Sequence, residues 1–577
     1  MKIFIEGYKY TTPECLGLLS RFQEFIDPNE AISLFYVGYC YSKTLNDCVF
    51  FLPKVILDRN NLIFGRYTPE QIVDPDQLPA NNALSKSERN FLFNFSLWIY
   101  RAIRQYRKKY SDSPILRSKN FSCMDNSTGV TQSSLLDIVM SLIEFNNKHK
   151  DFLLFTVKNA HKGYNKIKWR KTITRTMPVI VNNKPHYIDP ITKVKVIDTE
   201  EDLLVYYYSI LNYLNATYGC GILYEWNGRI LKGHEFLACI NGLGKQKLLK
   251  IRHKYYSDTE KLLWKECFSF FSQAESISSS TMQNDYLLVS DFPKVFESII
   301  DHLIGEPSCE KMKELKTGQM IDHLFPYESI IRQDDIYYIG DSKYYKIGDA
   351  INGVPEFKQY SYAKNVIQAN LNLFLSSKQS DVTQALVYRD DITEGYNITP
   401  NFFIGAEIHR DLRYDIDCLN HRSGADKLSR QYRNRLFDRD TLWISHYDVN
   451  FLYVLSLYAN GNAGVCSAFR DKIHAEFRRS SIEVFDNLYN FYALFPKNGN
   501  IEITIMPIFK KLNGKIFKPV PNKEMIILAL EDVHKIYSAD ESLAAQDVEK
   551  ENKDILSLLN SLFTVKPFSL KNGIPNS

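Results

Sequence analysis

The sequence predicts a multi-domain α/β protein, and three observations carry that expectation. At 577 residues the chain is too long for one ordinary core and suits about three to five domains. Short β-type runs alternate with turns over residues 1 to about 80, whereas later stretches carry apolar residues at helical spacing. Near the middle, a helix, two strands and another helix follow in succession, as mixed α/β layers require.

The composition narrows the class. Hydrophobic residues make up 45% and charged residues 24%, which is ordinary for a globular protein. Against 67 acidic side chains stand 71 basic ones, a net charge of +4; local clustering, not the total, has to reveal any polyanion partner. Aromatic residues reach 14%, enough for thick cores and tyrosine-rich surfaces. The ten cysteines are scattered singly with no CxxC pair, which speaks against a zinc ribbon. No GxxxxGK[ST] motif occurs, so nucleotide hydrolysis is not expected of this chain. Residues 1–6 read as a strand rather than a signal peptide, and no apolar run approaches the roughly 20 residues that span a bilayer. The expectation is a cytoplasmic protein with free thiols and no membrane association.

Taken in order, strand-like runs fall at 31–41 and 48–57. Ser85 and Glu88 form a capping-box pattern, and Phe91, Leu92, Phe95, Trp98, Ile99 and Ala102 continue at helical spacing toward the basic end Arg101, Arg104, Arg107, Lys108, Lys109. Cations suit a helix C-terminus, so that basic end fits a structural role as well as a DNA contact. Residues 111–133 read as a loop, 134–148 as a helix, 202–218 as a buried helix and 258–274 as another, with a polar linker at 276–282. Further on, 385–388 and 402–406 read as strands, and 449–459, 463–477 and 480–495 as helices.

The chemistry concentrates between 291 and 374. Asp291 caps a helix with Pro293 in its first turn. Phe292, Val295, Phe296, Ile299, Ile300 and Leu303 line one face, and Glu297 flanks that stripe. A strand carrying Asp322 runs to Pro326, and a second strand covers 336–345. Its period-two alternation puts Tyr337, Ile339, Asp341 and Lys343 on one face. A helix rich in amides, from about 357 to 374 and including Gln359, follows. Two aspartates can hold a hard cation such as Mg²⁺, with Mn²⁺ as a substitute, and a nearby lysine can stabilise charge on a phosphate. The acid-x-lysine triplet alone is weak, because Glu314-Leu315-Lys316 and Glu551-Asn552-Lys553 share its spacing; the surrounding elements supply the specificity. A surface hairpin with one Asp341–Lys343 salt bridge is the bland alternative. A tight turn at 333–334 would set Asp322 opposite Tyr345, so bringing the carboxylates together requires a wider loop or an irregularity near Pro326.

This array resembles the PD-(D/E)xK nuclease superfamily, with Ile321 in place of the proline and Asp341 in place of the glutamate. More narrowly the chain resembles the LlaJI family of restriction endonucleases, relatives of the McrC nuclease subunit. The resemblance is carried by Lys166-Ile167-Lys168-Trp169-Arg170-Lys171-Thr172-Ile173 with Pro178, by Tyr338-Ile339-Gly340-Asp341-Ser342-Lys343-Tyr344-Tyr345, by Leu436-Phe437-Asp438-Arg439-Asp440-Thr441, and by His446-Tyr447-Asp448-Val449-Asn450-Phe451. It implies a restriction-endonuclease-like core of mixed sheet flanked by helices. It also implies Asp322 and Asp341 as metal ligands, Lys343 as charge stabiliser, Glu297 as an auxiliary acid, and Gln359 positioning the site's water or the DNA backbone. The activity it implies is Mg²⁺-dependent hydrolysis of double-stranded DNA in a restriction system. A separate McrB-like AAA+ GTPase would be the partner, with a cognate DNA methyltransferase as a further candidate. A repair or recombination nuclease, and a non-catalytic DNA-binding bridging subunit, stand as alternatives.

Two basic regions are candidate DNA contacts. Residues 155–173 hold Lys166, Lys168, Arg170 and Lys171 interleaved with Trp169, a pattern suited to phosphates and stacked bases. Residues 407–440 hold Arg410, Arg413, Arg430 and Arg433 among other cations, partly offset by aspartates; a phosphate-facing loop, a partner surface and self-paired charges all fit. The expected organisation is an N-terminal α+β domain for DNA or partner binding (1–112), a mostly helical middle region (134–283), a nuclease domain with a helical extension (288–510) and a C-terminal segment (511–577).

Overall fold

The computed structural model describes residues 1–25, 34–45, 47–75, 77–79, 83–119, 134–149, 155–160, 166–197, 201–218, 220–279, 284–313, 320–332, 334–344, 354–375, 386–408, 411–417 and 419–573. Mixed sheets and helices alternate along it, as the sequence led us to expect of a multi-domain α/β chain.

The N-terminal sheet comprises β1 (Lys2–Ile5), β2 (Val37–Ser42), β3 (Asp47–Leu52), β4 (Leu116–Lys119) and β5 (Asn284–Val289), in the order β1-β3-β2-β5-β4. Strand β5, which straddles the expected start of the nuclease domain at 288, is thus an interior strand of the first sheet. Part of the expected 111–133 loop becomes β4. Helix α1 (Lys86–Lys109) packs on this sheet and carries the expected capping box: the Glu88 N–H donates to Ser85 Oγ at 3.2 Å, and the Ser85 N–H donates to Glu88 Oε2 at 2.8 Å. The helices α2 (Leu135–Lys148), α3 (Asp202–Tyr218) and α4 (Asp258–Ser279) form the middle region. Helix α4 continues through 276–279, where a linker was expected; residues 280–282 of that linker lie outside the described residues.

Helix α5 (Phe292–Ile304) leads into the central sheet: β6 (His323–Glu328), β7 (Asp335–Lys343), β8 (Pro400–Glu407), β9 (Leu419–His421), β10 (Lys427–Ser429) and β11 (Leu442–Asn450). The order is β6-β7-β8-β11-β9, with β10 also on β11. Strands β7, β8 and β11 are mutually parallel; β6, β9 and β10 run antiparallel to their neighbours. Helix α6 (Val354–Leu375) connects β7 to β8. Residues 386–388 form no strand; beside them Arg389 makes an isolated bridge to Tyr396, and Ala385 lies outside the described residues.

Strand β11 runs on to Asn450, whose side chain caps helix α7 (Phe451–Asn460) by accepting from the Leu452 N–H at 3.2 Å. Helix α8 (Ala463–Leu488) is unbroken where two helices were expected, and β12 (Tyr489–Pro496) replaces the end of the second. Arg479 explains the continuity: it bonds Glu476 at 2.5 Å and Glu483 at 2.8 Å, one turn to each side. Beyond Leu488 the burial alternates residue by residue over Tyr489, Asn490 and Phe491, the period of a strand. Strand β12 pairs with β14 (Ile526–Glu531) and β15 (Phe563–Phe568), and β14 pairs with β13 (Ile516–Phe517). This last sheet straddles the expected boundary at 510, and α9 (Ser542–Leu562) leads into β15.

One hydrophobic core runs from β1 through α1–α5 and the central sheet to α8. Tyr344 joins the two sheets: its O–H donates to Glu6 Oε2 at 2.7 Å, and its ring packs on Phe292 and Phe296 of α5. The eight cysteines described are buried free thiols. Among the described residues no helix is long and apolar enough to cross a membrane.

Candidate active site

The geometry begins with the β6–β7 connection. The last pair of the hairpin is Glu328 with Asp335, so the register leaves six residues between the strands, four more than the tight turn considered above. Ser329 organises the connection: its Oγ accepts from the N–H groups of Ile331 and Arg332 at 3.1 and 3.2 Å, and Arg332 pairs with Asp334 at 2.6 Å. The resulting register sets His323 opposite Gly340. Continued by one residue, it sets Asp322 opposite Asp341. Pro326 stays within β6, which lies at the sheet edge where a missing N–H is tolerated.

Asp322 Oδ2 accepts from the Ser342 N–H at 3.0 Å. Its carboxyl is also hydrogen-bonded to that of Asp341; burial, and then this neighbour, push it well above the usual carboxylate range. Glu297 of α5 shares the field: burial first and the Asp341 charge second raise it to about 7, against the pull of Lys343. The Lys343 ammonium bonds to Asp341 and lies 5.5 Å from the centre of the Phe403 ring. The side chains of Asp341 and Lys343 keep 11% and 20% of their surface exposed, so solvent reaches this end of the sheet. The structure therefore brings Glu297, Asp322, Asp341 and Lys343 together, and Lys343 and Asp341 share a face as the alternation requires.

These residues suit a divalent cation. Two carboxyls in contact inside a protein must share a proton or a cation, since like charges this close cannot both ionise unaided. Among the described residues no cluster of three or more His, Cys, Asp or Glu gathers into a metal cage. Mg²⁺ does not ask for one: it is commonly held by one or two carboxylates, with waters and substrate phosphates completing its shell.

The remaining sequence candidates divide. Gln359 is wholly buried, so it reaches no DNA backbone; its amide instead donates to the Ile339 carbonyl at 3.0 Å and fastens α6 onto β7. Arg430 binds the buried Glu531 and braces the last sheet rather than presenting itself to a phosphate. Arg413 pairs with Asp415 at 2.7 Å on the surface, a weak bond. Arg433 is exposed, and Arg410 lies outside the described residues. Other cations of this stretch are paired as well, Arg422 with Asp448 at 2.6 Å and Lys427 with Glu356 at 2.7 Å, and the His421 ring lies 2.9 Å from Asp426. Arg413 finds its acid within 407–440, whereas Arg430, Arg422 and Lys427 find theirs elsewhere in the fold. In the other basic region Lys166 and Arg170 are exposed, Lys168 and Lys171 half-buried, and Trp169 is 55% exposed with its edge toward Tyr187.

Two features escaped the sequence reading. Burial, then the charges of Asp341 and Asp322, raise the Tyr362 phenol, so it lies in the field of the acids. It follows Gln359 by three residues, so helical spacing alone could have found it. Behind the site, His323 Nε2 lies 2.5 Å from Ser342 Oγ, and its Nδ1 lies 3.6 Å from Asp301 Oδ1. Lys313 binds the same aspartate at 2.5 Å. Burial alone would raise Asp301, but His323 and Lys313 outweigh it and hold it at about 2. The Asp–His–Ser order is not a hydrolytic triad. His323 is fully buried and Ser342 nearly so, and 3.6 Å is too long for the bond that would orient the imidazole. The group braces β6 against β7 beneath Asp322.

No family model matches the sequence, and no curated protein or solved structure matches the chain.

Proposed function

We propose that this chain is the Mg²⁺-dependent endonuclease subunit of a restriction system, cutting double-stranded DNA in the cytoplasm with a core of the PD-(D/E)xK type and of the LlaJI and McrC-like kind. The observation that carries the reading is the meeting of Asp322 and Asp341 across the β6–β7 register, with Lys343 bonded to one of them. Asp322 and Asp341 would hold the cation, which when bound supplies polarisation of the scissile phosphate and a lowered pKa for the attacking water. The Ser342 N–H fixes the Asp322 carboxylate so that it needs no reorganisation. Lys343, freed from Asp341 once that charge is satisfied, donates to the phosphate oxygen on which charge develops. Glu297, which shares the field of Asp341, would be the group to take up the water's proton. On the resemblance to McrC-like nucleases, recognition and GTP hydrolysis would fall to a McrB-like AAA+ partner, with which the lack of a GxxxxGK[ST] motif agrees, and protection of host DNA to a methyltransferase.

The test is cleavage of plasmid DNA with Mg²⁺ and the partner GTPase, comparing the unmodified chain with Asp341→Ala. Cutting by the first and none by the second is the expected result. Equal cutting by both would remove the site assignment. Failure of the unmodified complex to cut would leave a DNA-binding subunit.

A further inference from the structure

From Phe236 to Ser257 the sequence holds no Asp or Glu, yet it carries Lys245, Lys247, Lys250, Arg252, His253 and Lys254. The segment folds as the helix Gly244–Ile251 and a short turn, laid against α4. The Trp264 indole N–H donates to the Leu248 carbonyl at 2.9 Å and ties the two together. Between them opens a cavity of about 630 Å³ lined by Leu249, Arg252, His253, Tyr255, Lys261, Trp264 and Lys265. No carboxylate is in that lining. Acids border it only in part: the Tyr255 O–H donates to Glu201 at 2.5 Å, Lys254 lies 3.6 Å from Asp202 and the exposed Asp258 lies 4.0 Å from Lys261, whereas Arg252 and Lys265 form no ion pair among the described residues. Lys247 and Lys250 are exposed beside the cavity and form no ion pair among the described residues.

Positive charge concentrated around an open hollow and only partly neutralised costs self-repulsion unless an anion offsets it. The aromatic content says which part of an anionic ligand is read. Trp264 is only 7% exposed, stacked by Phe268 at 5.0 Å and covered by Arg252 at 5.3 Å, so no base can stack on it. Arg252, Lys261 and Lys265 are left to bind phosphates, and such contacts carry no base identity. We infer that this cavity seats the phosphodiester backbone of a nucleic acid, independently of its sequence, at a site apart from the acids of β6 and β7. The seat's chemistry would equally accept a free polyphosphate; the choice of nucleic acid rests on the nuclease reading above.

The experiment measures binding in EDTA, so that cleavage plays no part. The full chain is titrated against a short labelled DNA duplex between about 50 and 200 mM salt, where each lost phosphate contact lowers the log–log slope by about 0.9. The variant Lys261→Gln/Lys265→Gln removes two exposed cations without touching the core. Expected are an affinity about 3- to 10-fold weaker at the low-salt end, a slope smaller by nearly 2 and an unchanged Tm. The control Lys553→Gln, an exposed lysine on α9, should lower the slope by less than 0.5, about half of one contact. An unchanged slope and affinity in the double variant would overturn the proposal. So would tripolyphosphate binding lost in that variant while duplex binding persists. Duplex binding through these lysines in a complex that never cuts would sink the nuclease reading and leave this one standing.

Discussion

On one face of β7, Asp341 and Lys343 meet Asp322 and Glu297, and like charge has been gathered where solvent still reaches. On the other, Gly340, Ser342 and Tyr344 meet Phe402, His323 and Glu6, and nearly everything is buried. The two sets alternate along the end of β7 and the residue that follows it, yet they obey opposite rules. The buried face satisfies its polar groups and fills its space, and stability follows. The acidic face leaves carboxyls raised above their ordinary range, a cost to the fold that a bound cation would relieve. If that division is right, substitutions on one face should change chemistry without lowering stability, and those on the other should do the reverse.

The largest effect is expected at Asp341. Replacement by alanine should lower DNA cleavage by about three orders of magnitude or more, while the Tm measured without metal should hold or rise, because one of two touching carboxyls is gone. A fall of many degrees would place Asp341 with the structural residues. Next comes Gly340→Ala. A Cβ there would lie 2.0 Å from the Phe402 ring, and overpacking of this kind costs about 1–3 kcal/mol. Denaturant unfolding should show that loss while cleavage per folded molecule survives. Tyr344→Phe should cost about 1 kcal/mol or somewhat more, since it strips a bond from the buried Glu6. A cleavage defect larger than the stability defect would tie the N-terminal sheet to catalysis.

The same comparison shows what the sequence could disclose. Alternation placed Asp341 and Lys343 on one face, and the apolar stripe of α5 placed Glu297 beside it, because period and spacing are local properties. The meeting of Asp322 with Asp341 was not legible, for it depends on how many residues the 329–334 loop consumes, and a one-residue slip would turn the carboxyls apart. The basic stretch 407–440 was misleading for a related reason. Its partners Glu531, Asp448 and Glu356 come from other strands and from α6, far off in sequence. Likewise the strand β5 reads as a boundary segment until its neighbours β2 and β4 are known. Tyr362 and the acid-free run before Ser257 were legible, and only a search for spacing from Gln359 and for missing acids was needed.

The smallest expected effect is also the one most specific to the acidic face, namely the pH dependence of stability without metal. Glu297 rises from 4.5 to about 7 on folding, so between those values the folded chain binds more protons than the unfolded one. Its contribution is therefore most favourable below 4.5 and is lost as pH climbs through about 7. Asp322 acts in the same direction. Two buried groups elsewhere oppose the trend. Asp301, held at about 2, contributes stability that disappears only as pH falls below 3.8 toward 2. His474, lowered by burial to about 4, weakens the fold as pH falls from 6.5 toward 4. The difference between the unmodified chain and Glu297→Gln cancels both opponents. On raising pH from about 5 to 8, the variant's Tm should gain on that of the unmodified chain, and Mg²⁺ should close the gap by taking up the carboxylates' charge. A difference that stays flat with pH, or that Mg²⁺ leaves untouched, would mean that Glu297 does not share the field of Asp322 and Asp341, and the acidic face would shrink to two aspartates and a lysine.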